Sequence, residues 1–158
     1  MKKTSLLLIS IILLSCIFLF NWWQPNNFYN ASNELISYSD KWSAKHLNQS
    51  ISENTYKVTC SFNGYGTIWS YNCDEDKVIT APYSLNVKSG QAKLILITED
   101  NEVSTIVENT ANSEIIEGKL NIHVKKGDNR IKFVGSNADA ELELTIEEGN
   151  LKTIDFQH

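Results

Sequence analysis

From Thr55 onward the side chains alternate. Tyr56, Val58, Cys60 and Phe62 interleave with Thr55, Lys57, Thr59 and Ser61, and Tyr65, Thr67, Trp69 and Tyr71 form a second one-sided row. A period of two places successive side chains on opposite faces of an extended backbone, which the 3.6-residue turn of a helix does not do. The same pattern marks strands at 77–80, 83–88, 91–98, 102–107, 114–124, 129–135 and 140–147. Nine short strands joined by turns predict a mainly β fold, an antiparallel β-sandwich or jelly roll over 51–158.

Strand faces follow from the same rows. Leu120, Ile122 and Val124 oppose Lys119, Asn121 and His123; Leu142, Leu144 and Ile146 oppose Glu141, Glu143 and Glu147; Ile131 and Phe133 complete the buried set. Between Ala92 and Ile97 both faces turn apolar, which predicts a central strand covered on both sides. Turns are expected at Asp100-Asn101, Gly127-Asp128 and Gly135 to Asn137.

Upstream, Leu35, Tyr38, Trp42 and His46 recur at helical spacing, with Asn30 or Ser32 as a cap and Glu34 in the first turn. One amphipathic helix is therefore expected over 30–50, its stripe packed on the sheet or at a membrane surface. The polar, proline-containing stretch 24–29 suits a linker.

Residues 1–23 carry Lys2 and Lys3, an apolar run from Leu6 to Phe20, then Trp22 and Trp23, the order of a basic n-region, a hydrophobic span and interfacial aromatics. At about 1.5 Å per residue, 6–23 comes close to the minimum for crossing a bilayer. The expectation is a signal anchor at 1–23 that contacts the membrane through 6–23 and leaves the rest outside the cytoplasm. Leu13-Leu14-Ser15-Cys16 also resembles a bacterial lipobox, which makes lipidation of Cys16 the alternative. The apolar run continues through Ile17 to Phe20, where lipoproteins turn polar.

A net charge of −5 and the lack of any Lys/Arg cluster argue against nucleic acid as a partner. An apolar share of 42%, with 7 Gly and 2 Pro, supplies one core and argues against disorder.

Cys60 and Cys73 lie in the exported part, where a disulfide persists. A two-residue turn at Asn63-Gly64 would leave Cys73 roughly 20 Å beyond the partner position of Cys60, far outside the ~7 Å limit for a bridge. A turn centred on Gly66-Thr67 would instead face the two cysteines, or the strand ends early and Cys73 curls back; a Cys60–Cys73 disulfide is the expectation.

Tyr65, Trp69 and Tyr71 form a candidate ligand-binding platform, since flat rings meet the C–H face of a pyranose; the competing and stronger reading makes them one layer of the core. Asn72, Asp74, Glu75 and Asp76 lack the spacing of a calcium loop and read as a solvated turn. His46, His123 and His158 sit in no metal-ligand spacing, and no catalytic motif is present. No cofactor or metal is implied. Glu141, Glu143, Glu147 and Glu148 are expected to pair with Lys119, Arg130 and Lys132 across the sheet.

Lys125 to Val134 followed by the strand 140–147, together with the hairpin from Leu94 to Val107, resembles strands of jelly-roll carbohydrate-binding modules with a galactose-binding-like fold. The resemblance implies fold and transfers no binding residue. The functional expectation is an exported, membrane-tethered, non-catalytic binding module at the cell envelope, with a glycan, wall polymer or exported protein as its partner. The alternative is a structural or accessory subunit of a membrane protein complex.

Overall fold

The computed structural model describes residues 27–154. The expected anchor over 1–23, Cys16 with it, and residues 24–26 of the linker lie outside the described residues. A 3-10 turn at Asn27–Asn30 and a short helix, α1 (Ser32–Leu35), precede seven strands: β1 (Lys41–Ser52), β2 (Thr55–Cys73), β3 (Lys77–Ile97), β4 (Val103–Thr110), β5 (Ile116–Val124), β6 (Gly127–Thr145) and β7 (Asn150–Leu151). All pairings are antiparallel, in the order β1-β2-β6-β3-β4, with β5 also on β3 and β7 on β2. The mainly β, antiparallel class is the one the alternation predicts.

Nine short strands become seven because several expected turns are bulges. Gly64 lies opposite Gly135, Gln91 opposite Ser136 and Ser89 opposite Asp139, with register shifts in β2 and β3 at this level. The register of β1 slips nearby, between Lys45 and Asn48. A bulge bends its strand and increases its twist. Aligned across four strands, these bulges crease the sheet. Tyr56, Leu85, Leu142 and Leu144 from one side of the crease and Trp69, Leu94, Ile131 and Phe133 from the other then meet in one core, as the layers of a sandwich do.

The glycines at the crease are required. Gly64 adopts φ +136°, and a Cβ there would sit 2.1 Å from the Lys41 carbonyl oxygen; a Cβ on Gly135 would sit 2.2 Å from the Phe62 ring. The residue chemistry that signals a turn serves a bulge here, because both need a backbone conformation that side chains disfavour.

Three expectations are corrected. The chain passes through Asn63-Gly64 and Gly66-Thr67 as one strand, so neither hairpin forms. Cys60 and Cys73 thus lie 13 positions apart on β2, Cys60 opposite Ala140 and Cys73 opposite Gly127, and both are buried free thiols. At about 3.3 Å per residue their separation along the strand is roughly 40 Å, so the Cys60–Cys73 disulfide is excluded. The helix expected over 30–50 stops at Leu35, and Lys41–Ser52 is an edge strand. Its half-buried residues, Trp42, Ala44, Leu47 and Gln49, alternate with one extra residue between Ala44 and Leu47, where His46 takes φ 54°.

Candidate functional site

The face of β3 and β6 opposite the main core carries two period-two rows: Lys93, Ile95 and Ile97 on β3, and Arg130, Lys132 and Val134 on β6. Leu94 and Leu96 point into the main core while Ile95 and Ile97 enter a second cluster with Tyr29, Leu35, Tyr65 and Val134, so this strand is covered on both sides as expected. The segment that covers it runs from the 3-10 turn through α1 to Asp40. It is pinned by the three cations. Lys132, with no exposed side chain, donates to the carbonyls of Ser37 at 2.7 Å and Ser39 at 3.1 Å and pairs with Asp40 at 3.2 Å. Arg130 donates to the carbonyls of Ile36 and Ser37 at 2.9 and 3.2 Å. Lys93 lies 4.1 Å from the centre of the Tyr29 ring and donates to Asn30 Oδ1 at 3.4 Å.

A helix end leaves carbonyls without intrahelical partners, and cations suit that end. Arg130 and Lys132 satisfy the carbonyls just beyond α1, and Asp40 closes the strap by accepting from Thr67 N and Oγ1 at 3.0 and 2.9 Å. Burial pulls the Lys132 ammonium below its ordinary range, opposed by Asp40, and burial does the same to Lys93. The expected partnership of Arg130 and Lys132 with the β6 carboxylates is corrected. Glu141 pairs with Lys88, Glu143 with Lys57 and Glu148 with Lys77, while Arg130 and Lys132 are engaged by the strap.

Tyr38, at the crown of the strap, has one face 3.8 Å above the Arg130 guanidinium and is 75% exposed. It overhangs a cleft of about 300 Å³ lined by Ser70, Tyr71, Asn72, Asp128, Arg130, Asn150 and Lys152. Apart from Lys152, just beyond β7, these residues come from three paired strands: Ser70 lies opposite both Arg130 and Asn150, and Asn72 lies opposite Asp128. Asn72 donates to Asp128 at 2.5 Å, which orients both side chains. The result is a pinned, exposed aromatic ring beside amides, a carboxylate and a cation held on rigid strands, an arrangement suited to stacking one face of a ligand and hydrogen-bonding its edge.

The expected platform of Tyr65, Trp69 and Tyr71 does not exist as a surface. Ile68 is an extra residue in β2, so the row changes face: Tyr65 enters the cluster beneath the strap, while Trp69 and Tyr71 join the main core side. Tyr65 and Trp69 are 1% and 0% exposed. The Trp69 indole donates to the Glu148 carbonyl at 2.7 Å, and the Tyr71 hydroxyl donates to the Glu148 carboxylate at 2.9 Å, with Lys77 5.0 Å from the centre of the Tyr71 ring. Tyr71 alone of the three lines the Tyr38 cleft. In the acidic turn, Asp76 pairs with Lys125 and accepts from Lys126 N, and no group of His, Cys, Asp and Glu suited to a metal occurs among the described residues.

A second cleft of about 370 Å³ lies on the other half of the sheet, where Ser50, Lys57, Glu143 and Ser84 form one cross-strand row and Asn48, Thr59, Glu141 and Asn86 another, with Val58, Ile115 and Leu142 also lining it. Its charges are neutralised in pairs and no aromatic ring lines it.

No family model matches the chain, and no curated protein matches it. Among solved structures, it is similar to family 29 carbohydrate-binding modules. A variant complexed with mannohexaose has 10% identity and a TM-score of 0.40 over 70% of this chain and 83% of that one. A variant complexed with cellulohexaose has 10% identity and a TM-score of 0.39 over 70% and 82%, and another structure of the family gives 10% and 0.39 over 70% and 80%. At this identity and TM-score the match assigns the chain to no family.

Proposed function

We propose that the protein is a non-catalytic binding module that takes a glycan in the cleft beneath Tyr38. The observation that supports this reading most is the Tyr38 ring itself: 75% exposed, yet fixed in orientation by a guanidinium 3.8 Å beneath it. Exposed large aromatics lose solvation and rotamer freedom when a ligand binds, and a ring already held loses less. The cleft that Tyr38 lines also presents Asn72, Asp128, Asn150 and Lys152, which offer both donors and acceptors to a sugar's hydroxyls.

The reading includes export and tethering. Lys2 and Lys3, the apolar run to Phe20 and the following tryptophans support an envelope location with the sheet outside the cytoplasm. The tether then enters the strap that carries Tyr38. A thermal-shift screen of the full chain in detergent against soluble glycans and wall fragments tests the reading, because a ligand that binds only the folded state raises the melting temperature. A dose-dependent rise with a glycan, abolished by Tyr38→Ala, is expected. A folded sample with no rise across the panel, or a rise unaffected by Tyr38→Ala, contradicts it.

A further inference from the structure

Two cations, Arg130 and Lys152, and one carboxylate, Asp128, line the Tyr38 cleft, in a chain whose net charge is −5. The three charges are spent to different degrees. Asp128 already accepts from the Asn72 amide. Lys152 is exposed and has no ionic partner among the described residues.

Arg130 is 7% exposed, yet only partly used. The face of its guanidinium lies against the Tyr38 ring, and one N–H of each terminal nitrogen goes to the strap, to the carbonyls of Ser37 and Ile36. A guanidinium carries further N–H donors along its edges, which stacking on its face leaves free. Those of Arg130 have no partner among the described residues. A buried cation with unspent donors on a cleft wall suits an anion, because charge-assisted hydrogen bonds to carboxylate or phosphate are stronger than those to a neutral hydroxyl. The protein's own carboxylates do not meet this need. Glu148 pairs with Lys77, Asp40 with Lys132, and Glu99 accepts from the Asp128 N–H without lining the cleft.

We propose that the sugar bound in the Tyr38 cleft is acidic, carrying a carboxylate or phosphate that pairs with Arg130 and Lys152 while its ring meets Tyr38. The place rests on the glycan reading; the acidic class rests on the unspent donors of Arg130 and on the unpaired Lys152. Both oxyanions match the donors along a guanidinium edge, so the two sources are separated by the ligands tested.

The test compares glucose, mannose and galactose with their uronic acids and their 6-phosphates, which differ from the parent sugar only at C6. Each is titrated into the isotopically labelled full chain in a non-ionic detergent, as wild type, Lys152→Gln and Tyr38→Ala, at low and at physiological salt. The expected result is an acidic form that binds at least fivefold tighter than its neutral parent. That advantage shrinks at least twofold in Lys152→Gln and again at physiological salt, while Tyr38→Ala weakens both forms. The melting temperature of Lys152→Gln stays that of wild type. Acidic and neutral forms bound equally, or an advantage untouched by Lys152→Gln, overturns the acidic class and leaves the glycan reading standing. Inorganic phosphate or acetate bound as tightly as the matching sugar also overturns it, since the cleft then holds an anion without a sugar. No binding by any of these sugars overturns both.

Discussion

The Asp40 carboxylate lies 3.2 Å from the Lys132 ammonium, a cation with no solvent exposure of its own. This contact joins the strap to the central strand of the sheet, and the strap positions Tyr38. Removing one partner of a buried pair leaves the other uncompensated, whereas removing the cation itself removes the need for compensation. Asp40→Ala should therefore cost about 3 kcal/mol, more than Lys132→Met, as measured by urea denaturation. Equal costs would mean that Lys132 is satisfied by the Ser37 and Ser39 carbonyls alone.

The crease makes a second prediction. Gly64→Ala would place its new methyl against the Lys41 backbone and should destabilise by about 2–4 kcal/mol, with Gly135→Ala similar through the Phe62 ring. Gly66→Ala meets the buried Ile154 side chain at 2.7 Å but no backbone atom, at a residue without positive φ, and should cost less than Gly64→Ala. Thermal melts of the three variants rank the effects; a Gly64 variant as stable as wild type would remove the crease from the account.

The cysteines give a third. Because Cys60 and Cys73 are free and far apart along β2, a reductant should leave the melting temperature unchanged, and thiol reagents should label both only after unfolding. A bridged species that resists labelling in denaturant would contradict the continuous strand.

Burial pushes the Cys60 thiol from 9.0 up to about 12, with Asp139 adding to the shift. Between those values the unfolded chain releases a proton that the folded chain keeps. The stability from this group is complete below pH 9 and is lost as pH rises through 9 towards 12, approaching about 1.4 kcal/mol per pH unit. Tyr29 and Tyr56, also raised chiefly by burial, act in the same direction above about pH 10. Cys60→Val should flatten the stability profile between pH 8 and 10 relative to wild type; parallel profiles would mean that the thiol is solvated.

The class of fold was legible because alternation reports burial directly, and the central position of 91–97 was legible because both of its faces are apolar. The strand count was not. Glycine and asparagine mark a special backbone conformation without saying whether the chain reverses there or bulges and continues, and at Gly64 and Gly135 it continues. Arg130 and Lys132 alternate with Ile131 and Phe133 as a solvent face would, so their burial was missed. Lys93 was the available signal, since a lysine in one row with Ile95 and Ile97, on a strand covered on both sides, must itself be covered. Tyr38 was hidden because Leu35, Tyr38 and Trp42 fall at helical spacing, although the polar run Ser37-Tyr38-Ser39-Asp40 is that of a loop.

The most direct test of the central claim is the dissociation constant of the first glycan found to stabilise the protein, measured for wild type and Tyr38→Ala beside their melting temperatures. The ring makes only a partly exposed contact with Arg130, so the substitution should cost under about 1 kcal/mol of stability while weakening binding at least tenfold, about 1.4 kcal/mol. Unchanged affinity in a folded Tyr38→Ala variant would contradict the assignment of the glycan to this cleft.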